Sequence, residues 1–200
     1  MNMLIDLLPT NVEIDNKRYK IDSNFRTSIL FEMMMQDNEL DKEEKITNAL
    51  QLYYPIVPTN INEAVKKLIW FYSCGKDNTK HKGTGSGEAE QIYNYEFDDG
   101  YIYSAFLSQY GIDLQDIDYL HWWKFKAMFN SLKEDNKIIK IMSYRSLDLN
   151  TIKDKEQKAN YRRLKKIYEL PKNKTEVDKL NTIEKALLNG GNVEKILNNY

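Results

Sequence analysis

A histidine set among aromatic residues, His121-Trp122-Trp123-Lys124-Phe125-Lys126, is the stretch of this sequence best equipped for chemistry. An imidazole there can act as a general base if an acid or nucleophile lies within hydrogen-bond reach. No Ser or Cys motif supplies that partner, so the stretch reads as an aromatic core stripe with its histidine near the rim. Metal chemistry has still less to work with. A structural zinc needs four ligands, and the chain has one Cys and two His. Cys74 and His81 cannot make a site alone, and Cys74 reads as a buried thiol at a helix end.

Gly83-Thr84-Gly85-Ser86-Gly87 resembles a phosphate loop only in its glycine content. The phosphate-binding loop needs Gly-Lys-Ser/Thr between a strand and a helix. Here Glu88 follows, and its charge repels phosphate. Asp98, Asp99, Asp113, Asp116 and Asp118 are candidates for metal or acid–base work. They stand where helices begin or turn, so helix caps explain them more simply. The basic run Lys153–Lys166, with Tyr161 and Tyr168 interleaved, has the residue types of a nucleic-acid contact. Asp154, Glu156 and Glu169 dilute it. Tyr161, Leu164 and Tyr168 form a narrow stripe, which reads as a solvated amphipathic helix packed along one edge.

These residues must be held by helices. Val12 to Ile21 alternates apolar and polar residues about Asp15-Asn16, which predicts a β-hairpin. A lone hairpin is marginal in water, so it must rest on something. Asp22 or Ser23 can cap a helix carrying Phe25, Ile29, Met33 and Met34. Asp41 with Glu44, and Asn60 with Glu63, have capping-box spacing ahead of two further helices. The second of these helices, with Ala64, Leu68 and Tyr72 on its stripe, ends at Gly75. Asp98 or Asp99 opens a helix stopped by Gly111. Helices are then expected from about Asp118 to Leu132, around Ile138 to Tyr144, and from Asn150 or Thr151 to about Tyr168. Pro171 ends the last one. After it, two short helices split by Gly190-Gly191 are expected.

The 200 residues are 42% apolar, 12% aromatic and 30% charged, with a net charge of −1. That is enough apolar material for a core, and the near-neutral balance gives no global pull toward nucleic acid or anionic membrane. One cysteine rules out an intramolecular disulfide and points to a reducing compartment. The first ten residues lack the features of a signal peptide, and no run approaches the length of a membrane span.

Two stretches resemble a known family. The first runs Phe25-Arg26-Thr27 through Leu50-Gln51-Leu52-Tyr53-Tyr54-Pro55 to Trp70-Phe71-Tyr72-Ser73-Cys74-Gly75-Lys76. The second contains Phe97-Asp98-Asp99-Gly100-Tyr101, Leu120-His121-Trp122-Trp123-Lys124-Phe125 and Tyr144-Arg145-Ser146-Leu147-Asp148-Leu149. Together they are similar to the bacteriophage gp-fifteen family, small proteins of siphophages and related prophages, over about residues 12–170. Genes of that family typically lie between those of the major tail protein and the tape-measure protein. The resemblance therefore implies a tail-assembly chaperone that coats the tape-measure protein in the host cytoplasm. It carries no catalytic residues over.

The expectation is a mainly α protein with one small N-terminal hairpin. Residues 1–75 and 92–170 form two helical parts, packed as one domain or as two lobes. Residues 76–91 form a flexible linker, and 171–200 a short helical tail. The expected function is non-enzymatic, without cofactor or metal, and with no membrane partner. The tape-measure protein is the expected partner, and a second chaperone or the chain itself is a further candidate. Met33, Met34 and Met35 suit an adaptable contact surface because Met packs against many shapes. Three consecutive residues cannot share one helix face. Trp122 and Trp123 are the other candidate partner contacts, with core as the alternative for at least one. A structural component retained in the virion and a nucleic-acid-binding regulator using residues 153–166 are the competing functions.

Overall fold

The structure, a computed structural model, describes residues 2–37, 39–76 and 91–171. Most of the predicted linker, His81, the Gly83–Gly87 stretch and the residues after Pro171 lie outside the described residues. Two strands, β1 (Asn11–Ile14) and β2 (Lys17–Lys20), pair antiparallel with Val12 opposite Tyr19 and Ile14 opposite Lys17. The turn between them is Asp15-Asn16, both with positive φ (49° and 58°), as a two-residue hairpin loop of matching twist requires. Seven α-helices follow among the described residues: α1 (Phe25–Gln36), α2 (Lys42–Tyr53), α3 (Ile61–Tyr72), α4 (Asp99–Tyr110), α5 (Trp122–Asn130), α6 (Lys137–Ser146) and α7 (Lys155–Ile167). The chain is mainly α with one small hairpin.

The hairpin rests on α3. Val12 and Ile14 are buried, and Asp15 is tied to the start of that helix. The carboxylate of Asp15 accepts from Asn60 Nδ2 (3.0 and 3.1 Å), and Glu63 Oε2 accepts from Asp15 N–H (3.3 Å). Only half of the expected capping box at Asn60 therefore forms. Asn60 Oδ1 takes the Glu63 N–H (3.1 Å), while the Glu63 side chain serves the hairpin turn instead. At Asp41 both arms close: its carboxylate accepts from Glu44 N–H (2.9 Å), and Glu44 accepts from Asp41 N–H (2.9 Å).

Three helix starts differ from the sequence reading. Asn24, not Asp22 or Ser23, caps α1. The preceding residues stay extended because they bond to the chain entering α5: Trp122 N–H donates to Ser23 O (2.8 Å) and Phe25 N–H to Leu120 O (2.9 Å). The α5 helix begins at Trp122 rather than near Asp118 because the carbonyls of Leu114, Gln115 and Ile117 turn toward Arg26. A 3-10 turn, Leu149–Thr151, replaces the expected start of α7, which opens after Asp154.

Residues from both sides of the undescribed stretch share one core, in which Tyr53, Phe71, Phe106, Trp122, Trp123 and Phe125 are almost wholly buried. The two tryptophans do more than fill space. Trp122 Nε1 donates to Tyr72 O (2.8 Å) and Trp123 Nε1 to Phe71 O (2.7 Å). A helix leaves its last carbonyls without intrahelical donors, and α5 supplies them to α3. Tyr72 and Trp122 stack in parallel beside this joint, with centroids 5.5 Å apart.

Candidate functional site

Of the side chains singled out for chemistry, the histidine of the aromatic stretch is engaged in structure. His121 is the N-cap of α5: its Nδ1 accepts from Trp123 N–H (3.1 Å), and its Nε2 donates to Pro9 O (3.1 Å). Both ring nitrogens are thereby spent on backbone groups, and the histidine is buried rather than at the rim. Burial, with Lys124 nearby, holds its pKa below the ordinary histidine value. Cys74 is partly buried, and that burial pushes its thiol up, away from the thiolate that does chemistry. The Tyr72 phenol donates to Glu32, and its pKa is raised first by burial and then by that carboxylate.

Asp113 and Asp98 also have local duties. Asp113 accepts from Gln115 N–H (2.8 Å) and from Tyr103 OH (2.9 Å). These bonds hold the Asp113 pKa low, the backbone one most, and Asp113 in turn raises the Tyr103 phenol. Asp98 stands at the N-cap of α4 but makes no side-chain cap bond, because it pairs with Arg145. Among the described residues no His, Cys, Asp and Glu cluster has a metal-binding arrangement.

What remains is a cleft of about 360 Å³ between α1 and α4. From α1 it takes Arg26, Ile29 and Leu30, spaced so that they share one helix face. From α4 it takes Asp99, Ile102 and Tyr103, and Phe25, Tyr95 and Phe125 add aromatic surface. Leu114 and Gln115 border it, on a loop pinned by a single guanidinium. Arg26 Nη2 donates to the carbonyls of Leu114 (2.7 Å), Gln115 (3.3 Å) and Ile117 (2.9 Å). The lining is mainly apolar, and Leu30 is 53% exposed.

Met33 lies one turn beyond Ile29 and Leu30, on the same face of α1. Met33 and Met34 are half-buried against the core, and Met35 is 46% exposed. The three methionines are thus divided between core edge and solvent. Trp122 and Trp123 are buried and do not line the cleft.

A second, polar groove of about 510 Å³ lies between residues 146–150 and α7, lined by Lys158, Arg162 and Lys165. The tyrosines of the basic helix are not free for stacking there. Tyr161 and Tyr168 lie against Tyr144 of α6, with centroids 6.3 and 5.9 Å apart.

Two arginines that organise the fold, Arg26 and Arg145, carry roles that the sequence reading did not assign. Arg145 falls inside the Tyr144–Leu149 stretch that marks the family resemblance, and Arg26 inside the Phe25–Thr27 stretch, so a signal was present without its geometry.

The family model described as Bacteriophage Gp15 protein matches residues 4–170, and the chain belongs to that family. No curated protein and no solved structure matches it.

Proposed function

We propose that this Gp15-family chain is a non-enzymatic phage tail-assembly chaperone whose α1–α4 cleft receives apolar stripes of the tape-measure protein. The observation that supports this best is the cleft itself, open to solvent, mainly apolar and lined by the exposed Leu30. Such a groove suits an amphipathic helix, whose anchors recur every three or four residues. The gene order implied by the family resemblance supports the tape-measure protein as the proposed client. No helix among the described residues is long and apolar enough to cross a membrane, and the proposed place of action is the host cytoplasm.

The test is co-expression with the tape-measure protein. Its soluble yield should rise with this chain and fall back with Leu30→Glu or with Met33→Asp/Met34→Asp, each checked first for folding. If the tape-measure protein is equally soluble alone and no complex survives gel filtration, the chaperone reading fails. A structural role in the virion, detected by analysing purified particles for this chain, then takes its place.

The groove beside α7 favours a second reading, nucleic-acid binding through Lys158, Arg162 and Lys165. It requires an affinity that falls steeply with salt. Apolar binding in the cleft requires a negative heat-capacity change and only modest salt dependence.

A further inference from the structure

Residues 2–8, ahead of the hairpin, form a turn whose backbone is bonded but whose apolar side chains are not packed. Asn2 organises it. Its carbonyl accepts from Ile5 N–H (3.1 Å) and Asp6 N–H (2.8 Å), and its Oδ1 accepts from Leu4 N–H (2.9 Å). The Asp6 carboxylate accepts in return from Asn2 N–H (2.7 Å). Leu4, Ile5 and Leu7 are nevertheless 95%, 80% and 94% exposed. Single apolar residues on a surface are ordinary, but three within four positions, held in one turn, make a patch. The family match starts at residue 4, so this arm lies within the family's shared length.

The root of the arm is fixed near the α1–α4 cleft. Leu8 packs against the core, and Pro9 O accepts from His121 Nε2 (3.1 Å). The neighbouring Leu120 O accepts from Phe25 N–H (2.9 Å), and Phe25 lines the cleft. Residues 2–7 reach up to about 20 Å from that root when extended. The arm stays in solvent rather than filling its own cleft. Each chain therefore presents an uncovered apolar arm and an uncovered apolar cleft.

Charge matches too. Arg26, on the α1 wall, spends its Nη2 on three carbonyls, and its Nε and Nη1 bond no described residue. Asp6 is the one charged side chain in residues 2–8 and stands between Ile5 and Leu7. Apolar side chains entering the cleft bring that carboxylate with them. Arg26 attracts it and Asp99, on the α4 wall, repels it, which fixes the arm's orientation.

An aliphatic side chain taken wholly out of water loses on the order of 100 Å² of apolar surface. Three on the arm, with a similar area of cleft, make roughly 600 Å² per arm, small for a stable contact. Two arms exchanged reciprocally make roughly 1,200 Å², within the range of specific interfaces.

We propose that two copies of this chain form a two-fold dimer in which residues 2–7 of each lie in the α1–α4 cleft of the other. Leu4 and Leu7 then pack against Leu30 and Ile102, and Asp6 meets Arg26. Exchange of an identical element is a low-cost route to such a dimer, and a root near the cleft lets one two-fold axis seat both arms. The consequence for function rests on the cleft being the client site. The dimer keeps both clefts covered until a tape-measure stripe displaces the arms.

Sedimentation velocity of the full-length chain over a concentration series tests this. The unmodified chain should dimerise. Leu4→Asp/Leu7→Asp and Leu30→Glu should each weaken dimerisation about tenfold or more, and Asp6→Asn severalfold at low salt. Leu4, Asp6, Leu7 and Leu30 are all exposed, so these changes spare the core, and circular dichroism should be unaltered. Mixing the Leu4→Asp/Leu7→Asp chain with the Leu30→Glu chain restores one intact arm and one intact cleft. The mixture should associate more strongly than either variant alone. A monomer at every concentration, a dimer indifferent to either variant, or a mixture no more associated than its components overturns the proposal. A monomer whose arm resists proteolysis unless Leu30 is changed places the arm in its own cleft and overturns the exchange. A dimer that behaves as proposed while tape-measure solubility is independent of the chain defeats the client reading alone. A monomer in which Leu30→Glu still lowers tape-measure solubility defeats the dimer alone.

Discussion

Arg145 and Asp98 form a two-pronged ion pair inside the protein, with side chains 7% and 1% exposed. Arg145 also holds the carbonyls of Ile92 (3.1 Å) and Tyr168 (2.6 Å). One guanidinium thereby joins α6, the N-terminal end of α4 and the end of α7. Removing one partner strands a buried charge, which costs about 3–5 kcal/mol. Arg145→Met and Asp98→Leu are each expected to lower the urea midpoint by a corresponding amount. The double substitution should recover part of the loss, because it strands no charge. A double variant as unstable as the sum of the singles argues that the carbonyl contacts, and not the pair, dominate.

Gly75 sits against Trp123. Its φ is +71°, and a Cβ built there lies 2.8 Å from Trp123 Cη2 and 3.5 Å from Trp70. Gly75→Ala meets both a left-handed backbone and a rigid indole. It should cost about 1–3 kcal/mol from the backbone conformation, with the clash added. Pairing it with Trp123→Phe removes the offending ring edge, so the double variant should lose less than the sum. Thermal unfolding of the four proteins in the cycle checks this.

Trp122 and Trp123 are core residues that also donate to the end of α3. Truncating either to Ala should cost about 3–5 kcal/mol. Trp123→Phe keeps most of the volume but removes the indole bond to the Phe71 carbonyl, which still accepts from Cys74 N–H (3.0 Å), a loss of about 0.5–1.5 kcal/mol. Melting temperatures unchanged in the Ala variants would contradict the packing described for both.

His121 makes stability depend on pH. Its Nδ1 must be unprotonated to accept from Trp123 N–H, and burial depresses its folded pKa. The unfolded value is near 6.5, so in the window just below it the unfolded chain binds more protons. The histidine's contribution is therefore full above about pH 6.5 and is lost as the pH falls toward the folded value. His121→Asn retains an N-cap acceptor and does not titrate. The drop in urea midpoint between pH 7.5 and pH 5 should be smaller in that variant. Equal drops would show that other groups carry the acid sensitivity.

Much of the local architecture was legible because the signals are short-range. The Asp15-Asn16 turn, the Asp41–Glu44 box and the Gly111 stop each depend on residues within a few positions of one another. The cleft was only half legible. Ile29 and Met33 share a helical stripe in the sequence, but nothing there pairs that stripe with Ile102 and Tyr103 of a helix some seventy residues on.

The sequence by itself determined the helical class, the hairpin and the aromatic weight of the core, because periodicity and turn chemistry act through neighbouring residues. Tertiary structure decided what the polar groups do. Asp98, legible as a cap, becomes the partner of Arg145, 47 residues away. His121, legible as a rim residue, is buried between Pro9 and Trp123. The tryptophans, legible as filler, cap a helix about 50 residues earlier. A buried donor or acceptor must find a partner wherever the fold brings one within about 3 Å, and that choice is made by packing, not by position along the chain.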